Sequence, residues 1–353
     1  MDDGRYSVLS RQLGHALDRE LEKLSGSTSR IASAAWRPVS PAAQMTKRRL
    51  AIVAADAGNV TLRLNPLRIA FVRVASSDIE EPLAELIFQP DEPAPALAAS
   101  ICEELPRVVA PLRDAGLDPA ALLESSLVRR NRLSAVREIL EWGAILSATS
   151  TSHREPVLVV RDGLLRSIHI DEAAFARLRT ALLAACARTG NQLVAVAKNL
   201  PGGQDLVNAL LLGGVMDHLP NTPLAFLEIP RSLEEDLLPP AFVEGRRMGP
   251  LAIARVRSTG TFVPLEFGTD DAASVESIVA SLFGPDAEFY PEPGQPIEVM
   301  VAHHRARISA LDREWLRREF IDQLSHSRAR LARLTVTAEV LGMGGPTLSE
   351  DLA

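Results

Sequence analysis

Two aspartates each close a short apolar run. Asp56 follows Leu50-Ala51-Ile52-Val53-Ala54-Ala55, and Asp162 follows Val157-Leu158-Val159-Val160-Arg161. Such runs, bounded by Ala57-Gly58-Asn59 and by Gly163, read as buried strands that end in turns. In open sheets containing parallel strands, ligands gather beyond the carboxyl ends of the strands. Two carboxylates placed there side by side form an oxygen-rich pocket suited to a hard divalent cation, magnesium or manganese. A pair of such ions orients a water and stabilises the leaving oxygen of a phosphodiester. The bland alternative is that each aspartate only begins a turn through its own side-chain hydrogen bonds.

A cluster of this kind usually needs a third acid. The helical pattern over 132–148 offers Glu138 and Glu141. With Val136, Ile139, Leu140, Gly143 and Leu146 as the apolar face, Glu138 lies nearly opposite the core and Glu141 nearer its edge, so Glu141 is preferred. Either glutamate is equally readable as a solvated charge paired along the helix. Lys198 ends the run Leu193-Val194-Ala195-Val196-Ala197, where an ammonium would face a phosphate, neutralise the acids or simply snorkel. His303 and His304 follow Val299-Met300-Val301-Ala302, as a ligand or proton carrier or as an ordinary pair near a helix start.

The elements that must position these residues are legible in outline. Leu9, Leu13, Leu17, Leu21 and Leu24 predict a leading helix, followed by a Ser-rich linker; the helix packs on its own domain or meets a partner. The Leu50 run, 67–75 and 84–88 read as three antiparallel strands, and the proline-rich 89–95 as a surface link. Helical periodicity covers 97–148, with breaks near Pro106, Gly116 and Pro119. A strand at 157–162, a helix over 171–188, a strand at 193–198 and a short helix from Gln204 follow. Strands alternating with helices imply parallel crossovers, so the fold class is α/β, a mixed sheet flanked by helices. A hairpin over 251–267, a helix over 272–283 and a long helix over 311–333 complete the chain, and the Gly-rich tail is expected to be mobile. The organisation expected is an arm and linker over 1–46, a main domain over 47–327 with a helical insertion at 97–150, and a tail from 328.

Composition excludes several classes. With 353 residues and 46% hydrophobic content the chain can bury a substantial core. No apolar stretch approaches the roughly 20 residues of a membrane span, and no cleavable leader pattern is present, so a cytoplasmic protein is expected. Cys102 and Cys186 are far apart and lack metal spacing, which predicts free thiols. The formal charge of −7 argues against bulk electrostatic coating of nucleic acid, though a local basic groove remains compatible with it. No phosphate-binding lysine loop, zinc-protease helix or serine elbow occurs, and Val196 stands where a second common nuclease pattern would place an acid two residues before Lys198.

Four blocks, in order, resemble the NurA nucleases: Ala51-Ile52-Val53-Ala54-Ala55-Asp56, Val159-Val160-Arg161-Asp162-Gly163-Leu164-Leu165, Val194-Ala195-Val196-Ala197-Lys198 and Ala302-His303-His304-Arg305-Ala306-Arg307-Ile308. The resemblance spans about residues 48–325. It implies a ribonuclease-H-like fold and a manganese- or magnesium-dependent DNA nuclease, a 5'-3' exonuclease and single-strand endonuclease. It also implies a homodimer that processes DNA ends, in repair or in defence, with a HerA-type hexameric translocating ATPase. On this resemblance Asp56, Glu141, Asp162 and His303 hold the metal, and Lys198 lies at the site edge. The chain departs from the family at Gln295, where a tyrosine is usual, with Tyr290 nearby but out of register. Arg129, Arg130, Arg132, Arg305 and Arg307 are candidate phosphate contacts. The alternatives are a non-catalytic adaptor of the same fold docked on the ATPase, or a kinase on a similar sheet, for which Ala57-Gly58-Asn59 supplies too few glycines.

Overall fold

The structure, a computed structural model, describes residues 10–19, 22, 36–40, 49–64, 67–124, 131–198, 222, 224–238, 246–256, 262–284, 290–292 and 294–327. The strands, in chain order, are β1 (Arg37–Pro38), β2 (Ala51–Leu64), β3 (Leu67–Ser76), β4 (Ala84–Phe88), β5 (Val157–Asp162), β6 (Gln192–Val196), β7 (Ala225–Glu228), β8 (Leu251–Arg255) and β9 (Phe262–Phe267). The helices are α1 (Ala94–Glu104), α2 (Pro106–Asp114), α3 (Pro119–Glu124), α4 (Arg132–Ser150), α5 (Glu172–Thr189), α6 (Arg231–Leu237), α7 (Ala272–Leu282), α8 (Ile297–Ala306) and α9 (Ala310–Ser327). Residues 10–19 are also helical, with Leu13 and Leu17 exposed. None of the described helices is long and apolar enough to cross a membrane. Chain contacts divide the molecule into two units.

The first unit comprises Leu50–Asp162, Ser167–Leu193 and the chain from Pro296. Its strands run in the order β4-β3-β2-β5. β2, β3 and β4 form the expected antiparallel meander. β5 lies parallel to β2, from Ala51 opposite Val157 to Ala55 opposite Arg161. A three-stranded meander with the next strand added parallel to the first is a ribonuclease-H-like arrangement, and helices α1 to α4 make the connection. Proline and glycine punctuate those helices as expected: Pro106 begins α2, Gly116 adopts a positive φ of 70°, and Pro119 begins α3. α5 starts where Asp171 accepts from the Ala174 amide at 2.9 Å and stops at Gly190, φ 76°.

Two expectations are corrected here. β2 does not end at Asp56. It continues for eight more residues because β3 supplies partners throughout, with Ala57 opposite Val74, Gly58 opposite Arg73 and Asn59 opposite Val72. Pairing along the whole length overrides the local turn preference of Gly58-Asn59. The second correction concerns α4, read above as amphipathic with Glu138 turned from the core. Glu138, Glu141 and Trp142 are all buried, so the helix is enclosed on nearly every side and a single apolar stripe misjudges it. Close crossing by α2 contributes: a Cβ on Gly143 would lie 2.2 Å from the Val108 carbonyl oxygen. Asn191 secures the start of β5, accepting from the Val157 amide at 3.0 Å and donating to the Thr149 and Thr151 carbonyls at 3.2 and 3.0 Å.

The second unit holds 1–49, Gly163–Arg166 and Val194–Gln295. Its strands run β1-β7-β8-β9-β6, with antiparallel pairing at β1·β7, β7·β8, β8·β9 and β9·β6. The β8–β9 hairpin and α7 appear as expected, whereas β7 and α6, short and flanked by Pro223 and Pro230, were not anticipated. The helix expected from Gln204 lies outside the described residues. A buried ion network knits this unit. Arg166 donates to Glu266 at 3.0 Å and to Glu234 at 2.7 Å, and Arg247 donates to Glu234 at 2.9 Å. Burial outweighs the attraction of Arg166 and lifts the Glu266 carboxyl from 4.5 to about 7. Its favourable contribution is therefore complete below pH 4.5 and is lost as pH rises through about 7. Thermal melts are expected to show wild type losing stability relative to Glu266→Gln across that window, with a constant gap above it; parallel pH profiles would refute the assignment.

Candidate metal centre

The register of β2 and β5 creates the site. Ala55 lies opposite Arg161, so the next residues on each strand, Asp56 and Asp162, emerge side by side. Alternation along β2 puts Gly58 on the same face as Asp56. That face receives α8, which packs against β2, β3 and β5. A Cβ on Gly58 would sit 2.2 Å from the Ala306 carbonyl oxygen, so glycine is required for the helix to come this close. Val299, Ala302 and Ala306 form the buried stripe of α8. Arg305 anchors the end of that helix, donating to the carbonyls of Ser76, Ser77 and Ile79 at 3.0, 2.9 and 2.7 Å. His303, beside Ala302, is thereby delivered to the two aspartates.

His303 Nδ1 lies 2.8 Å from Asp56 Oδ2 and 3.3 Å from Asp162 Oδ2. Ligand atoms from all three residues fall within 4.8 Å of one another. The other Asp56 oxygen accepts from the Ala57 amide at 2.7 Å, which fixes the carboxylate rotation. The aspartate side chains are only 13% and 12% exposed, while that of His303 is 48% exposed, so the site has buried acids and an open imidazole rim. His303 Nδ1 can donate to these carboxylates while no ion is bound, and must give up that proton to serve as a ligand through the same nitrogen. Two like charges in poorly hydrated surroundings demand a counter-charge, and two carboxylates with one imidazole match the donor chemistry of a divalent ion. The residues present fit such an ion.

The remaining expected site residues are placed elsewhere. Glu141 does not join the three; both its oxygens accept from Arg161, at 2.8 Å to Nε and 3.3 Å to Nη2. Positions 161 and 162 alternate across β5, so Asp162 meets α8 and Arg161 meets α4 on the opposite face. Burial works against the Arg161 charge, but Glu141 more than offsets it and the guanidinium holds its proton more tightly than usual. Glu138 accepts from Trp142 Nε1 at 3.1 Å. Lys198 belongs to the second unit, 3.8 Å from Glu292. In that unit, too, Gln295 is buried with Oε1 lacking a partner among the described residues, and the Tyr290 hydroxyl donates to the Leu282 carbonyl at 2.8 Å. His304 is exposed and is not part of the cluster.

Of the candidate phosphate contacts, Arg305 is committed to backbone carbonyls, as is Arg132, which donates to the carbonyls of Pro90 and Glu92. Arg307 is exposed; Arg129 and Arg130 lie outside the described residues. Sequence reasoning missed Arg161 and the packing role of Gly58. A signal existed for the first, since one arginine in an otherwise apolar buried strand requires a buried partner.

No protein-family model and no curated protein matches the chain. Among solved structures, a crystal structure of NurA aligns with 92% of this chain and 99% of its own, at 11% identity and a TM-score of 0.46. A structure of NurA bound to dAMP and manganese aligns with 94% of this chain and 98% of its own, at 12% identity and a TM-score of 0.40. The catalytic domain of human endonuclease V aligns with 86% of this chain and 98% of its own, at 13% identity and a TM-score of 0.30.

Gly58→Ala adds a methyl group where the Ala306 carbonyl stands, which is expected to cost about 1–3 kcal/mol and to move His303 off the aspartates. Calorimetric titration with Mn2+ should then show binding weakened by about tenfold or more; unaltered binding would disprove the link between this close approach and the site. Asp56→Asn and Asp162→Asn, which keep side-chain volume and remove the charge, are each expected to abolish measurable Mn2+ binding with the circular dichroism spectrum unchanged.

Proposed function

We propose that this chain is a divalent-metal-dependent DNA nuclease of the NurA kind, hydrolysing phosphodiester bonds at a centre built from Asp56, Asp162 and His303. The observation that carries the reading is the convergence of these three side chains, 247 positions apart at the extremes, on a ribonuclease-H-like sheet. The four sequence blocks that resemble NurA bring the same residues forward independently of the coordinates. A bound ion would neutralise the paired carboxylates and supply a polarised water for attack on phosphorus. Asp56, held by the Ala57 amide, and Asp162, at the end of β5, would hold that ion in a fixed geometry. The open side of the site, at His303, is where a phosphodiester would approach, with exposed Arg307 one turn further along as an electrostatic contact.

The finer assignments follow the sequence resemblance: 5'-3' exonuclease and single-strand endonuclease activity, action as a homodimer, and coupling to a HerA-type hexameric ATPase that feeds it DNA during end processing or defence; the cytoplasmic location is carried over from the sequence composition. Lys198 is assigned to the edge of the site on the same basis.

Manganese is the first cation to test, since it is named in similar NurA structures. With Mn2+ present, wild type is expected to degrade strand-labelled linear DNA, while Asp56→Asn and Asp162→Asn lose at least a thousandfold in rate, roughly the scale of removing an electrostatic stabiliser from a buried site. Chelation should stop wild type as well. If DNA survives with manganese or magnesium, with and without the ATPase, the adaptor reading replaces this one.

A further inference from the structure

Glu138, Glu141 and Trp142 lie on neighbouring turns of α4, and all three are buried. Glu141 takes the Arg161 guanidinium at both its oxygens. The Arg161 Cζ also lies 4.1 Å from the centroid of the Trp142 ring, so the cation is held between a carboxylate and a ring face. Trp142 in turn donates through Nε1 to Glu138 at 3.1 Å, and the second oxygen of Glu138 lies 3.9 Å from His169 Nε2. The helix therefore grips the chain immediately before Asp162. Its direct hold is on the residue just before, through Glu141 and Trp142.

We propose that Glu141 and Glu138 are positioning residues for Asp162, acting through Arg161 and Trp142 from the far face of β5, and that neither ligates the ion. The inference rests on the reading of Asp56, Asp162 and His303 as a cation site. Asp162 is the last residue of β5 and stands beside another carboxylate, so repulsion works to splay the strand end. A rigid guanidinium fork, bound bidentately and stacked, resists that movement, which a point-charge ammonium would not. This assigns a use to two buried glutamates that the three-ligand cluster leaves out.

The test uses the full chain with Mn2+ alone, measuring affinity by calorimetry and the number of ion-bound waters by water-proton relaxation. Glu141→Gln and Arg161→Gln are each expected to weaken binding about 10–100-fold, the range for outer partners of metal ligands. The double variant should bind no more weakly than the worse single variant, because both act through one contact. The water count should stay at its wild-type value in all three. One additional water in Glu141→Gln, multiplied losses in the double variant, or unchanged affinity would overturn the proposal. Should Glu141→Gln fail to fold, Trp142→Phe keeps a ring under Arg161 and drops the donor to Glu138; binding weakened by less than the roughly 10–100-fold of losing an outer partner outright, with the same water count, is expected, and unchanged affinity overturns the proposal. A wild type that binds Mn2+ but leaves DNA intact sinks the nuclease reading alone, whereas one that binds no Mn2+ overturns both.

Discussion

Asp56 and Asp162 repel each other, and the unit that carries them is organised so that they stay together regardless. Each is set by backbone rather than by side-chain preference. The parallel pairing of β2 and β5 stops at Ala55 and Arg161, which leaves the next residue of both strands facing one direction. Hydrogen-bonded strands fix the Cα positions firmly, and the Ala57 amide holds the Asp56 carboxylate against rotation. His303 Nδ1, within hydrogen-bonding reach of both acids, is the nearest group able to compensate them. Its delivery depends on the helix backbone lying against Gly58, so a missing Cβ on one strand shapes the cluster as much as its three side chains do.

Charge compensation recurs behind the acids. Arg161 is enclosed by Glu141 and Trp142, and the second unit uses similar chemistry where Arg166 meets Glu234 and Glu266. Buried pairs of this kind contribute little net stability, because desolvation cancels much of the attraction, but leaving one partner alone is costly. What they contribute is definition: a guanidinium fork with two fixed carboxylate contacts has one good position. At Arg161 that position is the residue preceding a candidate metal ligand. In the second unit, by contrast, the network ties α6 to β9 and to the segment following β5, so there it serves the fold.

Much of the framework was readable because it depends on local rules. Apolar runs marked β2, β5 and β6, and Asp171 and Gly190 bounded α5 with the side-chain acceptor and the left-handed backbone that helix ends need. Pro106, Gly116 and Pro119 broke the helical region where expected. Asp162 was recognisable as a strand end, whereas the residues alone left His303 and His304 equivalent and only the resemblance preferred His303. The extent of β2 was not readable, since Ala57-Gly58-Asn59 is a turn by its own preferences and a strand only because β3 lies beside it. Nor was the environment of α4. A helical wheel assigns one face to the core, whereas α4 is packed by α2, β2, β3 and α5 together, which encloses glutamates that the wheel left outside.

By itself, then, the sequence determined which residues are candidates for chemistry and on what kinds of element most of them sit, because strand, cap and break signals act over a few neighbouring positions. Only the tertiary structure decided which of those residues meet. Of the four residues expected together, Asp56, Asp162 and His303 converge while Glu141 turns to Arg161, because side chains at consecutive strand positions point to opposite faces. That parity is set by the pairing register and by which helix covers each face, and both depend on contacts between residues distant in the chain.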